Sequence, residues 1–207
     1  MSNSDVLFST YDLDDVLRSQ MREVHDRVLR LSNSHFSASS DDELADRIVR
    51  ELTIEPIHLD EEGISVSHRE DKVDVSQDFR RAVYDRNKPA YVDGIRVTFH
   101  VPFTGEKKLF SCRPNPYSMR APHAVVGKNE LAFSYAQPGR DIANLKPTFE
   151  DEFARAKEWT SRVNQQVVAF NGSLADTARR SVAERRQVVA HTEDQVNALG
   201  YKIRRPK

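Results

Sequence analysis

Asp93, Glu106 and Lys108 are the most enzyme-like set in this 207-residue chain. An acidic residue followed about a dozen positions later by Glu-x-Lys is the order many metal-dependent nucleases use. Two carboxylates hold Mg²⁺, and the lysine positions water or stabilises charge. Here Asp93-Gly94 and Gly105-Glu106 read as turns at opposite ends of one strand. A ten-residue strand is about 33 Å long, so the two carboxylates meet only if it bends sharply. His100, with Cys112 and His123 nearby in sequence, invites a thiol or metal reading. No two histidines have His-x3-His spacing, and a lone cysteine beside Phe110 reads as packing. The seven glycines form neither a GxGxxG nor a Walker loop. No metal or cofactor is expected. Because spacing alone builds no convergent set of nucleophile, base and oxyanion donors, the sequence favours a non-catalytic binding or assembly module. The nuclease centred on Asp93, Glu106 and Lys108 is the alternative.

Two other groups of side chains suit binding. Arg113, Asn115, Tyr117, Arg120 and His123 lie in a loop stiffened by Pro114, Pro116 and Pro122. Stiff backbone carrying Arg and Tyr loses little entropy on contact. The plainer reading is that these prolines protect a sheet edge. Arg179-Arg180 and Arg185-Arg186 fall on successive turns of one helix, and Arg204-Arg205 lie in the basic tail. Such clusters engage phosphates, so nucleic acid is a second candidate partner. Asp176, Glu184, Glu193 and Asp194 interleave with them, which favours salt pairs on the helix surface.

Charge is divided along the chain. Residues 1–78 hold 8 basic and 19 acidic side chains, a net of −11, and the remaining 23 and 13 give +10. The two halves either complement each other within the fold or present a basic surface to an anionic partner. Hydrophobic residues are 38% of the chain and charged residues 30%, enough to bury a core at this length. No apolar run approaches the ~18–20 residues of a membrane span, and Met1–Thr10 lacks the features of a secretory signal. One cysteine leaves no intramolecular disulfide. A cytoplasmic protein is expected.

The elements that must carry these residues follow from periodicity. Leu17, Met21, Val24, Val28 and Leu31 form one helical stripe, with Asp12 as its cap. The serine-rich stretch from Ser32 to Ser40 reads as a loop. Ser40 and Glu43 have capping-box spacing and open a second helix that buries Leu44, Ile48, Val49 and Leu52. From residue 54 to about 135 the period is 2, predicting an antiparallel sheet of five or six strands. Ile64, Val66 and His68 alternate there, followed by Val73 and Val75. Ile95, Val97, Phe99, Val101 and Phe103 form the best buried face, with Arg96, Thr98 and His100 on the wet one. Leu109-Phe110 should begin a return strand, and a hairpin should turn around Gly127-Lys128-Asn129. Phe149, Phe153, Ala156, Thr160, Val163, Val167, Phe170 and Leu174 then follow a heptad seam. Gly172 is its one weak point, where the helix either runs on or folds back as a hairpin. The class is α+β, with segments 1–53 (helical), 54–147 (sheet) and 148–207 (long helix and basic tail) integrated into one domain. The stripe from Ala178 to Leu199 has no obvious cover, so a homodimer through the C-terminal helix is expected, or contact with another protein.

Val101-Pro102-Phe103-Thr104-Gly105, the Phe170-Asn171-x-x-Leu174 step, Arg185-Arg186 and Leu199-Gly200-Tyr201, together with the strand-then-long-helix order, resemble uncharacterised bacterial modules. Those modules sit N-terminal to effector domains in defence-type proteins. The resemblance implies a sensor, scaffold or oligomerisation segment with an effector beyond residue 207.

Overall fold

A computed structural model describes residues 5–79, 81–82, 84–116 and 120–201. In chain order the first elements are β1 (Asp5–Val6), β2 (Tyr11–Asp12), α1 (Leu13–Leu29), α2 (Asn33–Ala38) and α3 (Asp41–Leu52). The sheet region holds β3 (His58–Leu59), β4 (Ser65–Asp74), β5 (Tyr91–Thr104), β6 (Cys112–Arg113), β7 (His123–Val126) and β8 (Glu130–Pro138). The chain then forms α4 (Leu145–Ala198). The class is α+β, as expected. The chain divides into two units: residues up to Leu13 with Glu55–Gln165, and Asp14–Ile54 with the residues from Gln166 on. Sheet and long helix are therefore not separate blocks, since α4 supplies both units.

In the first unit β5 is central. It pairs antiparallel with β4 along ten residues and with β8 on its other side. β7 adds to β8, β1 to β7, and β3 to the end of β5. Val97, Phe99, Val101 and Phe103 are buried with Leu131 and Phe133 of β8. This face meets the first part of α4: Phe149 stacks on Phe99 at 4.2 Å and meets Phe133 edge-on at 5.5 Å. Trp159, outside the expected seam, is buried and stacks on Phe8 at 5.7 Å. Asp93-Gly94 is not a turn but lies inside β5. A Cβ on Gly94 would sit 2.4 Å from the Gln137 carbonyl oxygen and 2.7 Å from Val73. The bare glycine lets β4 and β8 approach across it, which curls the sheet.

Two expectations for this region fail. Leu109-Phe110 does not begin a return strand but is buried in a 3-10 turn over Lys107–Ser111. Gly105, at φ +95°, reverses the chain against Pro56, where any Cβ would lie 2.1 Å from a carbonyl oxygen. Glu106 then caps the 3-10 turn, accepting the Lys108 N–H at 3.0 Å. The alternation through β4 is buried only towards its end: Val66 is 58% exposed and His68 is exposed, whereas Val73 is half-buried and Val75, just past the strand, is buried. β4 is an edge strand, and the charged run Arg69-Glu70-Asp71-Lys72 discourages further pairing there.

In the second unit the expected serine loop contains the short helix α2, which buries Phe36. This makes three N-terminal helices instead of two. Ser40 and Glu43 cap α3 reciprocally, at 3.2 and 2.9 Å. Leu44, Ala45, Ile48 and Leu52 are buried, and Val49 only half-buried. α4 runs unbroken through Gly172, whose position is exposed and open; glycine there costs about 1 kcal/mol against Ala. Phe170, Leu174, Ala178, Val182 and Val189 are buried, as are Leu17, Val24 and Val28 of α1. The stripe expected to seek a second chain is thus covered as far as Val189 within this one. Beyond that point the helix is exposed, with Val196 at 39%. Among the described residues no helix is long and apolar enough to cross a membrane.

Candidate functional site

The expected nuclease residues do not converge. Asp93 stands opposite Lys72 and forms an ion pair with it. The Lys72 hydrogen bond, followed by its charge, holds this carboxyl below the usual range. Glu106 lies past the other end of β5, where it caps the 3-10 turn. The eleven residue steps from Asp93 to Thr104 span about 36 Å of extended strand. Among the described residues no three His, Cys, Asp or Glu side chains gather as a metal site.

Cys112 is buried, with Sγ 3.5 Å from the Lys108 carbonyl oxygen. Burial, followed by the charge of Glu106, pushes its pKa up. This disfavours the thiolate a nucleophile needs. His100 is partnered by Ser67 and Glu130 on the wet side of β5. His123 opens β7, and its backbone N–H donates to Glu152 at 2.7 Å.

The proline-stiffened loop is anchored at several points. Arg113 lies 3.5 Å from Asp12, and Arg162 of α4 donates to the Pro116 carbonyl at 3.2 Å. Arg120 is exposed. Asn115 precedes Pro116 through a cis peptide. Tyr117 lies outside the described residues.

The basic cluster on α4 is partly spent on structure. Arg186 pairs with Asp41, donates to the carbonyls of Phe36 and Ser39, and lies over the Phe36 ring. Arg179 lies 3.4 Å from Asp42. The acidic first turn of α3 therefore meets these cations inside one unit. Arg180 remains exposed, while Arg185 is half-buried. Arg204 and Arg205 lie outside the described residues. The first unit shows the same matching of acidic and basic halves: Asp71 with Arg96 at 2.6 Å, and Glu61 with Lys157 at 2.9 Å.

One constellation escaped the sequence reading. On the wet face of the sheet, Ser67 Oγ lies 2.8 Å from His100 Nε2, and His100 Nδ1 lies 2.9 Å from Glu130 Oε1. The three come from β4, β5 and β8. Ser67 stands opposite Thr98 and Glu130 opposite Pro102, so each reaches His100 diagonally from a neighbouring strand. Beside them Thr98 and Ser134 share a hydroxyl hydrogen bond of 2.8 Å. The signal available in the sequence was the alternation of serines around Val66 and of polar residues around Val97 and Phe99. Histidine spacing could not find it, because Ser67 and Glu130 lie 33 and 30 residues from His100.

No protein family, curated protein or solved structure matches the chain.

Proposed function

We propose that this chain is a binding and assembly module, the sensor or scaffold part of a larger bacterial protein of the defence type. The observation that supports this most is α4. One uninterrupted helix of 54 residues gives its buried stripe to two units, and its cations hold the chain together. A helix used in this way makes a frame on which loops are presented. The loop from Cys112 to His123 is the recognition surface, because the Arg113 side chain reaches Asp12 and the Pro116 carbonyl accepts from Arg162, while Arg120 is exposed. The partner is a protein.

The test compares the parent chain with an Arg120→Ala variant, each immobilised and exposed to extract of the source organism. A captured protein must rebind the parent in purified form and bind the variant at least about tenfold more weakly, a loss of some 1.4 kcal/mol, with thermal stability unchanged. Equal binding by both chains would overturn the assignment of the loop. Plasmid cleavage in Mg²⁺ that disappears in Glu106→Ala would overturn the module reading itself.

A further inference from the structure

We propose that Ser67, His100 and Glu130 form an acyl-transfer site for small carboxylic esters. The two hydrogen bonds, 2.8 and 2.9 Å, run in the order hydroxyl, imidazole, carboxylate, and this order defines a nucleophile, its base and the group that orients the base. An ionised Glu130 only accepts, so His100 carries its proton on Nδ1. Nε2 is then left to accept from the Ser67 hydroxyl. Three paired strands hold the residues, so the geometry rests on sheet register and not on a loop.

The face is open to a reactant. Ser67 is exposed, the His100 side chain is 25% exposed and that of Glu130 47%. Ser67 lies on the edge strand, which among the described residues pairs only with β5. Alternate N–H groups of β4 therefore have no strand partner and can donate to a developing oxyanion. Arg69, two residues on along the same face, is exposed and adds positive potential there. Because Ser67 and Glu130 are exposed at this face, the site suits short acyl groups that need no deep binding pocket.

The reaction balances without a co-reactant other than water. Ser67 Oγ attacks the ester carbonyl carbon as its proton passes to His100 Nε2. The tetrahedral adduct collapses, the bond to the leaving oxygen breaks, and His100 returns the proton to the departing alcohol. Water, deprotonated by His100, then attacks the acyl-serine. Ser67 regains its proton and the carboxylic acid is released.

The full chain is incubated with a fluorophosphonate probe and, separately, with p-nitrophenyl acetate. A single adduct is expected, located on Ser67 by peptide mass. His100→Gln should slow labelling about 10²-fold, the scale of general-base assistance, and Glu130→Gln should slow it less. Ser67→Ala should abolish the p-nitrophenol burst while keeping the far-UV circular dichroism spectrum, since Ser67 is exposed. Ser134→Ala should change nothing. An unlabelled Ser67, an adduct only elsewhere, or a His100→Gln rate equal to that of the parent would each overturn the proposal. Such a result would leave the three residues a polar ladder like Thr98 and Ser134.

Discussion

Asn164 pairs both backbone polar groups of Ile57: its Oδ1 accepts the Ile57 N–H at 2.9 Å, and its Nδ2 donates to the Ile57 carbonyl at 2.7 Å. A side chain here does the work of a neighbouring strand. One heptad on, Asn171 makes the same pair with Ile54, at 3.1 and 2.8 Å. Residues 54–57 belong to no strand, and buried peptide groups need partners.

Replacing Asn164 with Leu should leave both groups of Ile57 unpaired, at about 1–3 kcal/mol each. Urea unfolding should show a lower midpoint with an unchanged slope. Asn164→Asp keeps only the acceptor and should fall between Leu and the parent. A Leu variant as stable as the parent would mean that water replaces the clamp.

Val182 is fully buried. Val182→Glu should destabilise the second unit by about 3–5 kcal/mol, the scale of an uncompensated buried charge. Loss of helix signal on mild heating would reveal it. Val196→Glu, at an exposed position, should shift stability by no more than ~0.5 kcal/mol. A well-folded Val182→Glu protein with altered oligomeric state would instead restore the homodimer through this stripe.

Arg186→Lys should not be conservative. The planar guanidinium reaches Asp41 and two carbonyls at once, which a single ammonium cannot match. A loss of about 1–3 kcal/mol is expected in denaturant titration, against ~0.5 kcal/mol or less for the exposed Arg180→Ala.

Tyr135 should ionise late. Burial first, and Glu152 next, push its pKa up to about 12, against a small opposing effect of Arg155. The folded state therefore keeps this proton more tightly than the unfolded one. The resulting stability is fully present below about pH 10 and is lost as pH rises through about 12. In an absorbance titration at tyrosinate wavelengths, Tyr135→Phe should remove a step near pH 12. Unfolding midpoints of the parent should fall over the same interval more steeply than those of the variant.

Local physics was legible in the residues. The period of 3.6 in Leu17–Leu31 and Phe149–Leu174, the period of 2 in Ile95–Phe103, and the Ser40/Glu43 cap all act within a few turns or along one strand. These patterns determined the class, the buried face of β5 and the heptad seam of α4, while the choice between a continuous helix and a hairpin at Gly172 was left to the tertiary structure. The tertiary structure decided what each pattern meets. It covered Ala178–Val189 from within the chain, left β4 as an exposed edge, and turned Leu109-Phe110 inward because Gly105 reverses the backbone against Pro56. It also separated Asp93 from Glu106 and brought Ser67 and Glu130 to His100. Such outcomes depend on register between strands and on which stripe reaches which helix. Those are contacts between residues tens of positions apart, and no local period records them.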